Sequence, residues 1–348
     1  MSRLPKVAVT ALVALSTVVL LSGCVAAEAA PAPAPASTPS ASPSPEPTTP
    51  AVLPKPVAAF GGDCAAVFGD AGGATLTVGA TALPIEPAAL TGPARTISVI
   101  GGFRCSGRDV GSGDSIGATV VPAAAIADRA PAQPITCSES DSGSGMQREC
   151  WATVVVGGYA MSARANAGPG SSFDLEAAID TLSVRLSAAA EREAPVAIAS
   201  PAGMWAHRTD CEPIADAAAA VLGDAVTGRA DRTTSAGPGM DVDFAAYDAG
   251  GWGTCILSSE TGDPTKDLAV LYLPGAGWAL EESLSDGSAT PTEVDGAVLA
   301  GIVNAESGDQ AGRGIAVTDG VNLLFVTTRD LNALAPTEAV AAAILAAS

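Results

Sequence analysis

Histidine is almost missing from this chain. His207 is the only one in 348 residues. A Ser-His or Cys-His nucleophile needs an imidazole as its base, so every serine and cysteine here has a single candidate partner. Lysine is nearly as scarce: Lys6, Lys55 and Lys266 are three of 17 basic residues, against 37 acidic ones, and the formal net charge is −20. Binding a phosphate backbone needs clustered Lys and Arg. That balance excludes nucleic acid as a partner, and with it adhesion to an anionic bilayer through basic residues. Aromatic residues make up 4%, which is low for a sugar-stacking surface. The apolar run Val7 to Leu21 has fifteen residues, short of the about 20 a spanning helix needs. No metal cluster and no phosphate-binding glycine loop is legible, so neither a cofactor nor a metal is expected.

What is present begins with a leader. Arg3 and Lys6 precede the apolar run, and small residues follow it, the order of a secretory signal. Leu21-Ser22-Gly23-Cys24 resembles a bacterial lipobox. The resemblance implies cleavage before Cys24 and a thioether-linked diacylglycerol on it. Two acyl chains anchor stably where one is marginal, at about 0.8 kcal/mol per buried CH₂. Residues 1–23 are then the signal peptide, and loss of Arg3 and Lys6 takes the charge from −20 to −22.

Residues 24–57 read as a tether. Pro31 to Pro56 holds ten prolines among Ala, Ser and Thr. This composition favours solvated polyproline II and spans on the order of 80 Å at ~3.1 Å per residue. It suits a spacer through a wall layer, and its Ser/Thr-Pro content suits O-glycosylation. About 290 residues remain, enough for one large domain or two ordinary ones. The expected location is the extracytoplasmic face of a cell membrane, with the membrane itself as a partner through the lipid on Cys24.

Beyond Cys24 there are six cysteines: Cys64, Cys105, Cys137, Cys150, Cys211 and Cys255. An even number outside the membrane argues for disulfides. Six cysteines allow 15 pairings, and spacing alone does not choose among them.

An internal repeat does. "FGGDCAAVFG" from Phe60 faces "HRTDCEPIADAAAAVLG" from His207, each an Asp-Cys followed by an apolar stretch ending in Gly. "GGFRC" ending at Cys105 faces "GGWGTC" ending at Cys255, 41 and 44 residues after the first cysteine of each copy. "GATVVPAAAIAD" from Gly117 faces "AVLYLPGAGWALEES" from Ala269; both read as a strand, a Pro and a helix. "WATVVVGGYAMSAR" from Trp151 faces "GIAVTDGVNLLFVTT" from Gly314, each a hairpin with a two-residue turn, Gly157-Gly158 and Asp319-Gly320. Each copy closes on a helix, with Leu175, Ile179, Leu182 and Leu186 in the first and Val340, Ile344 and Leu345 in the second. Asp210 is a good N-cap, and Cys211, Ile214, Ala218, Val221 and Leu222 share one helical face.

The expected fold is therefore α+β: two tandem related domains, residues 58–190 and 204–348, joined by a hinge at 191–203. Each is an antiparallel sheet with an opening and a closing helix. The repeat makes the pairs Cys64–Cys105 and Cys211–Cys255 equivalent and leaves Cys137–Cys150.

The Asp-Cys helix start, the Gly-rich segment with its partner cysteine, the late hairpin and the closing helix resemble small extracytoplasmic domains of actinobacterial lipoproteins. They also resemble the sensor domains of PknH-type receptor kinases. This chain has no Pro between Asp63 and Cys64 or between Asp210 and Cys211, and no Trp two residues after Cys105 or Cys255. The resemblance implies location and fold more than chemistry.

Candidate chemistry is thin. Gly113-Asp114-Ser115-Ile116-Gly117 matches G-x-S-x-G, but a nucleophile elbow needs a strand before it and a helix after it. Here the β-prone "ATVV" follows, and Ser115 reads as a loop residue. His207 beside a hinge reads as solvated or locally bonded rather than as a metal ligand. "SESDSGSG" (138–145) and "DVDFAAYD" (241–248) read as solvated acidic loops, since neither has the ligand alternation of a calcium loop. Trp151, Trp205, Trp252 and Trp278 could line a pocket, and packing against disulfides is the plainer role. The expected function is a non-catalytic, membrane-anchored envelope lipoprotein that binds an envelope ligand or protein. The alternative is an envelope hydrolase using carboxylates or Ser115.

Overall fold

The structure, a computed structural model, describes residues 51–70, 73–88, 90–141, 145–196, 198–206, 210–230, 240–263, 266–305, 312–328 and 334–348. Cys24, the signal peptide, nearly all of the tether and His207 lie outside these residues.

Local chemistry sets where the helices begin. Asp63 caps α1 (Cys64–Phe68), its carboxylate accepting from the N–H groups of Ala65 and Ala66. There follow β1 (Thr75–Val78), β2 (Thr81–Pro87), α2 (Arg95–Val99), β3 (Phe103–Arg108), β4 (Ser115–Pro122), α3 (Ala123–Ile126), β5 (Gln133–Asp141), β6 (Met146–Val156), β7 (Tyr159–Ala167) and α4 (Leu175–Ala190). Asp174 caps α4 through Ala177 N, and Leu175, Ile179, Leu182 and Leu186 are all buried along one face.

The second half runs α5 (Glu212–Leu222), β8 (Val226–Ala230), α6 (Asp241–Ala249), β9 (Gly253–Ser259), β10 (Leu268–Leu273), α7 (Trp278–Ser285), β11 (Ala289–Thr292), β12 (Leu299–Ala305), β13 (Gly312–Thr318), β14 (Leu323–Thr328) and α8 (Leu334–Ala346). Asp210 accepts from Glu212 N, and α5 ends on Gly223 in the left-handed conformation. Among the described residues no helix is long and apolar enough to cross a membrane.

The strands form two antiparallel seven-stranded sheets, in the orders β1-β2-β3-β4-β7-β6-β5 and β11-β12-β13-β14-β10-β9-β8. The class is α+β. Read from opposite ends, six strands keep one order: β2-β3-β4-β7-β6-β5 in the first sheet, β8-β9-β10-β14-β13-β12 in the second. Each half carries one disulfide from the start of its opening helix to the strand that follows α2 or α6. Cys64 is bonded to Cys105 on β3, and Cys211 to Cys255 on β9, both with Cα–Cα 5.7 Å. Cys137 and Cys150 face each other across β5 and β6 and are bonded as well.

Three sequence expectations need correction. The β6–β7 turn is Gly157-Gly158, both with positive φ, as a two-residue turn requires. The β13–β14 connection is instead four residues long, 319–322. There the Asp319 carboxylate accepts from Val321 N and Asn322 N, and Asn322 reaches Gly203 O, so side-chain bonds to the backbone widen the turn. Val221 is exposed, because the buried face of α5 is Ile214, Ala215 and Ala218. Residues 241–248 are not a solvated loop but helix α6, with Val242, Ala245 and Ala246 buried at helical spacing.

Four apolar clusters follow from strand alternation. The outer face of the first sheet packs on α1 and α4 through residues such as Phe103, Val120, Tyr159, Met161 and Leu182. The outer face of the second packs on α5 and α8 through Val270, Ile315, Val326 and Val340. Each inner-face cluster draws on both halves. Val121, Ile126 and Ala160 of the first sheet's half are covered by Val242, Ala245 and Tyr247 of α6. Leu271, Leu273, Trp278 and Leu323 of the second half take in Val99 of α2. A fully buried side chain of this size contributes about 1.5–3 kcal/mol. The halves are thus joined by core packing, with Thr96 beside Gly250 and Val99 beside Gly275 along the seam.

Candidate functional site

The inner face of the first sheet carries a polar row. Arg104, Thr119 and Ser162 are register partners on the adjacent strands β3, β4 and β7. Their neighbours in sequence point to the outer core, so alternation sends these three to the inner face. All three converge on Asp243 of α6. Arg104 Nη2 donates to its Oδ1 at 2.7 Å, Thr119 Oγ1 to Oδ1 at 2.8 Å, and Ser162 Oγ to Oδ2 at 2.9 Å. A buried carboxylate is tolerated only with such partners. Tyr247, one turn on, is pushed up to about 12 by burial and by the Asp243 charge. The corresponding row of the second sheet is Thr254, Leu271 and Phe325, so the anchor has no counterpart there.

Beside this row a cleft of about 760 Å³ opens where the two halves meet. It is lined by the segment 55–58, the chain after β2 and the start of α2, β3, and α7. Lys55, Arg95 and Arg104 bring cations to it; Glu282 and Asp286 bring carboxylates. Lys55 Nζ lies 3.0 Å from Glu282 Oε1 and 4.6 Å from the centre of the Trp278 ring. Both members of that ion pair are about half exposed, so it contributes at most about 1 kcal/mol and parts easily. Trp278 is buried, and its Nε1 has no acceptor among the described residues.

The chain entering the cleft is the end of the stretch assigned to the tether. Leu53 N donates to Gly320 O at 2.8 Å, and Ala59 N to Gly101 O at 2.9 Å. Residues 51–59 thus touch the second half, then the first.

The cleft's titratable groups are tuned by identifiable causes. Burial lowers the Arg95 pKa, while Glu282 and Asp286 oppose that shift. Hydrogen bonds from Ser288 hold the Asp286 carboxyl below its usual range. A general acid needs the opposite shift, toward the operating pH.

The other candidate residues fall elsewhere. Ser115 begins β4, half-buried, and its Oγ accepts from Asn166 Nδ2 at 3.4 Å. The Gly113–Gly117 stretch leads from a loop into a strand, which is not the strand-to-helix elbow of a serine nucleophile. Neighbouring Asp114 is buried and clamps Gly168 N and Ser171 Oγ. Of the tryptophans only Trp278 lines the cleft. Trp252 meets Tyr247 edge-on at 6.0 Å, and Trp205 is tied by its backbone N–H to Asn322 Oδ1. Among the described residues no three His, Cys, Asp or Glu side chains gather as a metal set. Sequence reasoning missed Arg95, Arg104, Asp243 and Glu282. Only Asp243 had a signal, the Val242/Ala245/Ala246 spacing that makes its segment a helix.

These features define an α+β protein of two antiparallel sheets with an open, mixed-charge cleft at their junction. Comparison with protein-family models, with curated proteins and with solved structures returned no match.

Proposed function

We propose that this chain is a lipid-anchored protein of the cell envelope that binds a ligand in the cleft between its two halves and does not catalyse a reaction on it. The cleft carries this reading. Its volume lies in the range of small-molecule sites, about 300–1,000 Å³, and its position at a junction of two bodies is a common one for such sites. Its groups suit recognition better than turnover: Asp286 is held as a carboxylate, and Ser115 is not part of the cleft.

The anchor half of the proposal rests on the sequence alone. Arg3, Lys6, the apolar run and Leu21-Ser22-Gly23-Cys24 stand in the order of a lipoprotein leader, and the resemblance to actinobacterial envelope lipoproteins points the same way. Two observations support an origin of the halves by duplication. One is the strand order shared by six strands. The other is the matched pair of disulfides, whose first sulfurs contact equivalent carbonyls, Arg104 O at 3.7 Å and Thr254 O at 4.0 Å.

Native mass spectrometry of the full chain, extracted in neutral detergent, tests the cleft. The expected result is a discrete mass carried by the wild type and lost in Thr91→Trp, a variant that fills the cleft with an indole. A variant that keeps the ligand overturns the assignment. Turnover of an ester, glycoside or peptide substrate, abolished by Ser115→Ala or Asp286→Asn, overturns the non-catalytic part.

A further inference from the structure

Arg95 is the cation of the cleft whose bonding is least complete. A guanidinium has five N–H donors. Arg95 Nε donates to Leu90 O at 3.4 Å and Nη2 to Ser283 Oγ at 3.2 Å, both long and both to neutral acceptors. Among the described residues no carboxylate lies within ion-pairing distance of it. The other two cations of the cleft each have one, Glu282 at 3.0 Å from Lys55 and Asp243 at 2.7 Å from Arg104. Glu282 and Asp286 act on it only from beyond contact distance, and a partly buried guanidinium with no carboxylate in direct contact is costly unless something pairs with it.

The surroundings select the kind of group that could. With Asp243 counted behind Arg104, cations and carboxylates balance around the cleft, so an anion meets no net repulsion there, although the whole chain carries −20. Part of the remaining wall is apolar, Pro87, Leu90, Phe103 and the Trp278 ring, beside the hydroxyls of Thr91, Ser98, Ser283 and Ser288. A guanidinium recognises planar or tetrahedral oxyanions through paired N–H bonds.

We propose that the cleft binds a small organic anion, a carboxylate or phosphate monoester on an apolar body, with Arg95 gripping the anionic group and the Pro87–Leu90–Phe103–Trp278 wall holding the body. This rests on the reading of the cleft as a ligand site and adds the ligand's class.

The test is isothermal titration calorimetry on the full chain in neutral detergent. The probes are phenyl phosphate, 4-phenylbutyrate, inorganic phosphate and the uncharged 4-phenylbutanamide. At least one of the two organic anions is expected to bind about tenfold or more tightly than the amide, as a charged hydrogen bond requires. Which one binds tighter distinguishes phosphate from carboxylate, and inorganic phosphate, lacking the apolar body, is expected to be weaker than phenyl phosphate. Arg95→Gln is expected to bring the anions down to the level of the amide, and Thr91→Trp to abolish binding of every probe. Circular dichroism checks each variant. If Arg95→Gln does not fold, Arg95→Lys is expected to weaken the anions and leave the amide unchanged. Equal affinity for anions and amide, or anion binding untouched in both Arg95 variants while Thr91→Trp abolishes it, overturns the anion assignment and leaves the cleft a ligand site. Binding that survives Thr91→Trp lies outside the cleft and overturns both readings. Failure of every anionic probe to bind overturns the proposal.

Discussion

Arg104 on β3 and Asp243 on α6 meet at 2.7 Å across the junction of the two halves, the carboxylate 3% exposed and the guanidinium 31%. The Arg104 side chain also donates to Thr119 Oγ1 at 3.2 Å. The ion pair, both hydroxyls of the row and the helix form one network that fixes α6 on the first sheet.

Breaking that network from the carboxylate side leaves Arg104, Thr119 and Ser162 with lost acceptors. Asp243→Ala is expected to cost about 3–5 kcal/mol, the range for removing one partner of a buried ion pair. The double change Arg104→Met with Asp243→Leu is expected to cost less than Asp243→Ala alone, since no charge is then stranded. Urea unfolding of the three proteins measures both. A loss below about 1 kcal/mol in Asp243→Ala would falsify the anchoring role.

Reductant is expected to open the disulfides in a fixed order. Cys137 is exposed at the sheet edge, whereas Cys64, Cys105, Cys211 and Cys255 are buried. Attack by an external thiolate needs access to a sulfur. Alkylation and peptide mapping after graded dithiothreitol should therefore label Cys137 and Cys150 first. Early labelling of Cys211 or Cys255 would contradict the burial. Removing either long-loop bridge is expected to cost up to about 4 kcal/mol, and the short one up to about 3, on the chain-entropy model.

Acid sensitivity has a local contributor at Asp224. Hydrogen bonds from Ser259 at 2.6 Å and Thr261 at 2.7 Å, then Lys266 at 3.2 Å, lower its carboxyl from 3.8 to about 2. A folded pKa below the unfolded one means the native state prefers the carboxylate. That stabilisation is complete above the unfolded value and is lost as pH falls through the folded one. Asp224→Asn is expected to melt below wild type at neutral pH, and the gap to close between pH ~4 and ~2. Thermal midpoints at half-unit pH steps follow it. A gap that stays constant down to pH ~2 counts against the assignment.

The anchor is tested at Cys24. Cys24→Ser is expected to lose metabolic labelling by a radioactive fatty acid and to leave the membrane fraction in carbonate wash. A variant that remains labelled and membrane-bound removes the lipid from Cys24.

How much of this was legible depends on the range of the interaction involved. The closing helices could be read because Leu175, Ile179, Leu182 and Leu186 repeat at 3.6 residues, and the β6–β7 hairpin because Gly157-Gly158 takes positive φ. The disulfide partners emerged from two copies of one local pattern around Cys64/Cys105 and Cys211/Cys255. The cleft was not legible. Glu282 lies far along the chain from Arg95 and Arg104, and each looks like an ordinary surface charge in its own stretch. Asp243 was misread because a stretch that also carries Asp241 and Asp248 is expected to face water, and only the first sheet supplies the donors, Arg104, Thr119 and Ser162, that let it be buried. The four-residue turn at 319–322 depends on Asn322 reaching Gly203, a contact no turn rule contains.

The contribution of α6 to the first sheet has a consequence for the chain's synthesis. The last strand of that sheet ends at Ala167, while α6 closes only at Ala249. At roughly 5–20 residues per second, the interval between them lasts several seconds. During that interval Val121, Ile126 and Ala160 lack the helix that covers them, and Arg104 lacks its counter-ion. A message truncated between residues 191 and 203 would yield a fragment with these side chains uncovered, so an early stop codon in the second half is expected to be as damaging as one in the first.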